Sequence, residues 1–394
     1  MKTKDVEKLY AEYILPTYKQ NGICLVKGKG ARVWDLEQRE YLDFFPGWAV
    51  SGLGHCHPAV VNALKTQSRK ILHISNNFLN IKQAELAREL VKNSFPAKVF
   101  FCNSGAEALD GAVKVARKFG AASGRYEVIT LKKSFHGRTF AGIAATGQDK
   151  VKEGFQPMLE GFRTADMNDL ESVREQVTAK TAAILLEPVQ GEGGVSTATQ
   201  DFMKGLRRLC DEKNLLLMVD EVQTGMGRTG RMFAYQHYGI EPDVMTLAKS
   251  LGSGVPIGAF LVHNRLGALM GPGSHGCTYG GNPLVCAAGL AVFKAIKKGG
   301  LIEKTKKLGE YFGTQLEALK KRHPQILEIR GLALMRGLAL SVPGAPIVER
   351  AAKKGLLINC TQDTVLRIMP PLIVTRKQID RALYILEQAL PESR

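Results

Sequence analysis

Two short apolar runs, each leading to a charged side chain, constrain the fold of this chain more than any other feature. The first, Leu215–Val219, is bounded by polar residues and followed by Asp220 and Glu221. Such a run reads as a strand buried on both faces in a parallel sheet. The second, Val244–Leu247, delivers Lys249 just ahead of Gly252, Gly254 and Gly258. In open α/β sheets ligands gather at the carboxyl ends of strands, so an acid and a lysine are expected at such ends here. Singly, Asp220 reads as a turn cap and Lys249 as a solvated lysine. Together they suggest a carbonyl-cofactor site, because a lysine among apolar neighbours loses its charge readily and can form a Schiff base.

The same alternation of strand and helix extends on both sides. A helix is expected over 4–13, ended by Pro16, then hairpin strands between Gly22 and Phe45 punctuated by Gly28 and Gly30. Helical spacing follows at 59–72 and 81–93, then strand 98–102 and a helix opening at Asn103-Ser104-Gly105-Ala106 and running to Phe119. Strands are expected at 126–131, 181–188, 215–219, 244–247 and 257–262, and helices at 200–213 and 283–298. The end of the chain reads as a unit with strands near Leu338, Leu356 and Leu366. This is an α/β pattern with a mostly parallel sheet. Residues 50–290 read as a large domain, and 1–49 with 291–394 as the two parts of a smaller one.

At 394 residues and 45% hydrophobic, the chain can bury a full core, and no tract signals disorder. The formal charge of +17 raises nucleic-acid binding. Against it, the cations come in doublets such as Lys132-Lys133 and Lys353-Lys354, with no long basic run and no interleaved aromatics. The densest zone, Lys294–Arg322, reads as solvated helix faces, with an acidic ligand or protein partner as the alternative. Seven scattered cysteines without a Cys-x-x-Cys argue for reduced thiols in the cytoplasm. The start, MKTKDVEKLYAEY, has no apolar core of a signal peptide, and no membrane span is expected.

Several motifs have both a plain and a chemical reading. Ser104-Gly105-Ala106, between a strand and a helix, is either an ordinary cap or a phosphate cradle of backbone amides. Gly225-Met226-Gly227-Arg228-Thr229-Gly230 matches the dinucleotide pattern, but Asp220–Thr224 separate it from the strand and Pro242 follows too soon for a crossover helix. His55-Cys56-His57 lacks a spaced fourth ligand, so a buried loop with capping histidines is expected and no metal. Phosphate-loop, lipase-type and zinc-protease motifs are absent. Phe135-His136-Gly137-Arg138 follows a strand, and Glu187 to Glu192 ends another in two acids.

The blocks NSGAEA, SFHGRTFA, EPVQGEGGV, LLLMVDEVQTGMGRTG, PDVMTLAKSLGSGVPIGA, HGCTYGGNPL and LRIMPPL resemble, in order and over nearly the whole chain, the class III pyridoxal-phosphate aminotransferases. The resemblance implies the type I fold of pyridoxal-phosphate transferases, with a seven-stranded, mostly parallel sheet and a smaller α/β domain from both chain ends. It also implies a role for each matching residue. Lys249 binds the cofactor's aldehyde and shuttles a proton, and Asp220 pairs with the pyridine nitrogen. Glu221 and Val222 contribute to the cofactor site, Gln223 faces the phenolic oxygen and Phe135 stacks on the ring. Ser104, Gly105 and Ala106 hold the phosphate with Thr278 of a second subunit, which implies a homodimer with shared sites.

On the substrate side the resemblance implies Arg138 for the distal carboxylate, Arg367 for the carboxylate next to the reacting amine, Glu192 as its switchable mask, and Tyr18 near an α-amine. Cys277 stands where relatives commonly carry serine, and Trp48 where they often carry smaller residues. The implied reaction moves the ω-amine of N-acetylornithine to 2-oxoglutarate. Ornithine, succinylornithine or an ω-amine on an acidic carrier protein are the alternatives, and a non-enzymatic nucleic-acid-binding protein is the alternative of another class.

Overall fold

The computed structural model describes residues 1–391; the last three residues of the expected small domain, 392–394, lie outside the described residues. A seven-stranded sheet lies at the centre, in the order Ala97–Cys102, Gly258–His263, Val244–Leu247, Leu216–Asp220, Thr181–Leu186, Glu127–Leu131, Phe162–Ala165. Only Gly258–His263 runs against the rest. The apolar run expected at 215–219 forms its middle strand, Leu216–Asp220, shifted by one residue and with every residue buried.

Alternating side chains explain why that strand shows no alternating polarity. Leu216 and Met218 pack in one cluster with Leu109 and Val113 of the helix Gly105–Gly120. Leu217 and Val219 pack in another with Phe202, Leu206 and Leu209 of the helix Gln200–Lys213 and with Phe293 of Pro283–Lys298. A strand with helices on both faces must be apolar at every position. Each of these side chains contributes about 1.5–3 kcal/mol by leaving water.

The helices are placed by local chemistry. Ser104, Thr199 and Asn282 cap the three just named by accepting from first-turn amides. In Gly105–Gly120 the acid Glu107 sits in the first turn and Arg117 and Lys118 in the last, matching the helix dipole.

The two ends of the chain meet in a second sheet, where Leu356–Leu357 pairs in parallel with Glu40–Asp43 beside Arg32–Asp35 and Leu25–Lys29. A third sheet, antiparallel, runs Ile326–Leu332, Met335–Leu340, Val365–Ile368, Asn359–Thr361 and packs under the helix Leu301–Arg322. The strand Phe162–Ala165 and the short helices Phe140–Ala145 and Leu170–Gln176 were not expected; none is long enough to show a clear period.

Gly225–Gly230 lies in successive turns with no helix opening there, which removes the dinucleotide reading. His57 caps the helix Pro58–Ser68 and His55 Nε2 lies 2.7 Å from Asp43 Oδ2, but the loop is not buried, for Cys56 is exposed. Among the described residues no helix is long and apolar enough to cross a membrane, and no group of side chains forms a metal site.

Candidate active site

Five strands of the central sheet end at one cavity of about 330 Å³. Ala97–Cys102 leads to Ser104, Glu127–Leu131 to Phe135, Thr181–Leu186 to Glu187, Leu216–Asp220 ends on Asp220, and Val244–Leu247 leads to Lys249. Ser104, Gly105, Ala106, Phe135, Glu192, Asp220, Val222, Gln223 and Lys249 all line this one space. The acid and the amine that the sequence sets on separate strands therefore share a cavity.

Asp220 is the best-held of these groups. Its Oδ2 lies 2.9 Å from His136 Nδ1, and its Oδ1 accepts from Thr246 Oγ1 at 3.0 Å and from the Val222 amide at 3.1 Å. Thr246 is placed by the parallel register that sets it opposite Asp220. Burial pushes the carboxyl up, but the bond to and charge of His136, with the amide and hydroxyl donors, outweigh burial and hold it below the ordinary carboxylate range. It is therefore a buried anion at neutral pH.

Lys249 is half-buried, and loss of water depresses its ammonium against the pull of Glu192 and Asp220. Its backbone sits in the left-handed region at φ 45°, a strained conformation for a side-chain-bearing residue.

At the far end, Ser104 Oγ accepts from the Glu107 amide at 3.2 Å, so the plain capping role is real. The first-turn amides that follow lack intrahelical acceptors by construction, which makes a phosphate cradle of the same residues. A methyl group on Gly258 would lie 2.3 Å from the Ser104 carbonyl oxygen, so the cradle needs glycine behind it. An amine, a buried carboxylate, an anion-binding helix start and the Phe135 ring around one space fit the aldehyde, ring nitrogen, phosphate and π-face of pyridoxal 5′-phosphate.

The substrate-side residues come from other elements. Arg367, fully buried in Val365–Ile368, directs Nη1 to Glu192 Oε1 at 2.6 Å and to Gln223 Oε1 at 3.4 Å. Its Nη2 and Nε both reach Asn359 Oδ1, at 2.9 and 3.3 Å, and the guanidinium lies 4.7 Å from the Phe45 ring centre. Gly191 makes room for Gln223, because a methyl group there would meet Gln223 Oε1 at 1.8 Å.

Arg138 is exposed and lies over Phe135, 5.5 Å from its ring centre. Tyr18 is 69% exposed and tilts against Trp48, itself at the edge of Phe45. Cys277 is half-buried, its Sγ accepting from Asn103 Nδ2 at 3.2 Å and lying 3.5 Å from Glu107 Oε2. Thr278 is exposed and does not line its own chain's cavity.

Glu221 corrects the sequence reading. Its side chain leaves the cavity and accepts from the Tyr235 amide at 2.7 Å and from Thr224 Oγ1 at 2.5 Å. Asp220 ends a strand, and successive side chains on extended backbone point to opposite sides, so its neighbour cannot share its target.

Three further groups carried no assigned role in the sequence. His136 steers Asp220; its place in the tetrapeptide after a strand was the available signal. Glu187 lines the cavity, receives the Phe135 amide at 3.1 Å, and is pushed up to about 7 by burial, with Asp220 adding to the push. Asn359 had no local signal at all.

The comparisons with known proteins agree with this geometry. The family model for aminotransferase class-III matches residues 13–390. The acetylornithine aminotransferase of Caldanaerobacter subterraneus subsp. tengcongensis is 52% identical over 97% of this chain and 98% of its own length. That of Methanocaldococcus jannaschii is 48% identical over 98% of each. Among solved structures, an ornithine aminotransferase from Toxoplasma gondii, described with partial occupancy of PLP at its active site, superposes with a TM-score of 0.94 at 32% identity, covering 98% of this chain and 94% of that one. The chain belongs to the class-III aminotransferases.

Proposed function

We propose that the enzyme transfers the ω-amino group of N-acetylornithine to 2-oxoglutarate with pyridoxal 5′-phosphate, giving N-acetylglutamate 5-semialdehyde and glutamate. The observation that carries this reading is the Arg367–Glu192 pair, 2.6 Å apart, whose carboxylate lines the cavity that also holds Lys249 while the guanidinium lies buried behind it. Two donors must use that cavity in turn. Glutamate has a carboxylate beside its reacting amine and calls for the free guanidinium. The ω-carbon of N-acetylornithine has none, and beside it an unpaired buried guanidinium would be a desolvated charge. A carboxylate able to leave or mask Arg367 serves both.

Pyridoxal 5′-phosphate, when bound, supplies the electron sink for the carbon that gives up its proton. Asp220, by remaining an anion, would hold a proton on the ring nitrogen. Lys249, with its ammonium depressed, would carry the proton between the substrate carbon and the cofactor's C4′. Ser104, Gly105 and Ala106 would bind the phosphate, and Phe135 would cover the ring. Arg138 binds the distal carboxylate of both substrates through a two-pronged fork. Exposed Thr278 supports a homodimer in which this residue completes the phosphate site of the other subunit. Seven free cysteines support a cytoplasmic location.

The test is the absorbance of the purified protein with added cofactor, followed by steady-state rates with N-acetylornithine, ornithine, succinylornithine and γ-aminobutyrate. Bound cofactor and highest kcat/KM with N-acetylornithine are expected. Failure to bind the cofactor rejects the chemistry; preference for another donor rejects the substrate.

A further inference from the structure

We propose that Asn359 sets the two-substrate specificity of this site: it fixes the Arg367 guanidinium while leaving its charge uncompensated, so that Glu192 alone decides whether the cation is masked. This rests on the two-donor reading above. The register of the antiparallel pair puts Asn359 directly opposite Arg367. One oxygen, Asn359 Oδ1, takes both Nη2 and Nε. That edge of the guanidinium is thereby held by a neutral acceptor, and Nη1 is left to Glu192 and Gln223. Among the described residues Glu192 is the only carboxylate paired with Arg367.

The same short strand and the residue that follows it also hold the mask from behind. The Glu192 carbonyl accepts from Thr361 Oγ1 at 2.6 Å and from Gln362 Nε2 at 3.0 Å. With its backbone tied to the element that holds the arginine, Glu192 unmasks Arg367 by side-chain rotation, and neither partner's main chain has to move. An amide at position 359 is what makes the device reversible. A carboxylate there would neutralise the guanidinium permanently, whichever way Glu192 pointed, and the α-carboxylate of glutamate would meet a cation already paired.

Asn359 is a positioning residue, and its test separates binding from turnover. Glutarate has both carboxylates of glutamate and no amine, so its Kd for the holoenzyme reads the cation without chemistry. In N359D glutarate is expected to bind about tenfold to a hundredfold more weakly, the range of one charge-assisted hydrogen bond. The KM for 2-oxoglutarate should rise in step, while kcat/KM for the N-acetylornithine half-reaction stays within about threefold, because a neutral carbon needs no cation. Glu192→Gln should tighten glutarate in the wild-type background and have no such effect in N359D.

Should N359D fail to fold, N359A serves: losing the holder without adding charge should weaken glutarate by a smaller factor and still spare the donor half-reaction. Wild-type glutarate affinity in N359D, or equal losses in both half-reactions, overturns the proposal. Absence of ω-amine turnover in the wild type rejects the function proposed above instead, and the glutarate titration, which needs no turnover, still decides the role of Asn359.

Discussion

Asp220 and Arg367 are buried ions, the first lining the cavity and the second bonded to its lining residues Glu192 and Gln223, and they are held in opposite ways. Asp220 is enclosed by three donors from three segments of the chain, His136, Thr246 and the Val222 amide, all on or beside the central sheet. Arg367 rests on a neutral amide, a ring face and a carboxylate that is itself 25% exposed. The first arrangement keeps one charge state; the second keeps a position and lets the charge be covered or bared. A transaminase needs both, since its cofactor is constant and its substrates alternate.

The contrast can be broken at its fixed side first. Lys249→Ala is expected to remove the absorbance band of the bound cofactor and lower kcat by at least about a thousandfold, since both the attachment point and the proton carrier go. Retained turnover would break the assignment outright. Asp220→Asn keeps the shape and removes the charge; kcat of both half-reactions should fall by about a hundredfold or more and to the same degree, measured by single turnover with each donor. A loss confined to one donor would place Asp220 on the substrate side.

On the adjustable side the signature is asymmetry. Glu192→Gln should lower kcat/KM for N-acetylornithine by about tenfold and leave or improve that for glutamate, because the guanidinium then stays bare. Matching losses would mean that Glu192 only supports the fold.

The smallest effect concerns Glu221, which lies outside both halves. Burial lifts its carboxyl from 4.5 to about 7. The native state then binds more protons than the unfolded chain between those values, so its contribution is full below about pH 4.5 and is lost as pH rises through about 7. The Tm of wild type relative to Glu221→Gln should therefore fall from pH 5 to pH 8 by a few degrees. A difference independent of pH would show that Glu221 is not buried as a proton-sharing acid.

How much of this was readable beforehand follows the same division. Strand 244–247 and helices 200–213 and 283–298 coincide with their expected bounds, because a strand covered on both faces and a long capped helix announce themselves locally. The cofactor side was legible for that reason: Ser104, Asp220 and Lys249 each sit at the end of such an element. Asn359 was not, since its meaning comes from a cross-strand register with Arg367 that no local pattern encodes. Glu221 departs from its expected place because neighbours on extended backbone point to opposite sides, which a matching block of sequence does not display. Tyr18, Arg138 and Thr278 are exposed, and an exposed side chain leaves no local pattern that tells a binding residue from a solvated one.

The parallel pairing of Leu356 with Leu42 has a consequence for how the chain is made. By the time Gly258–His263 leaves the ribosome, the central sheet is complete, with its lysine and acid in hand. The hairpin of the first 43 residues must still wait, one edge open, for a strand synthesised some three hundred residues later. A nascent chain cut short in that interval would expose an unmatched β-edge, the feature most prone to pair with a stranger.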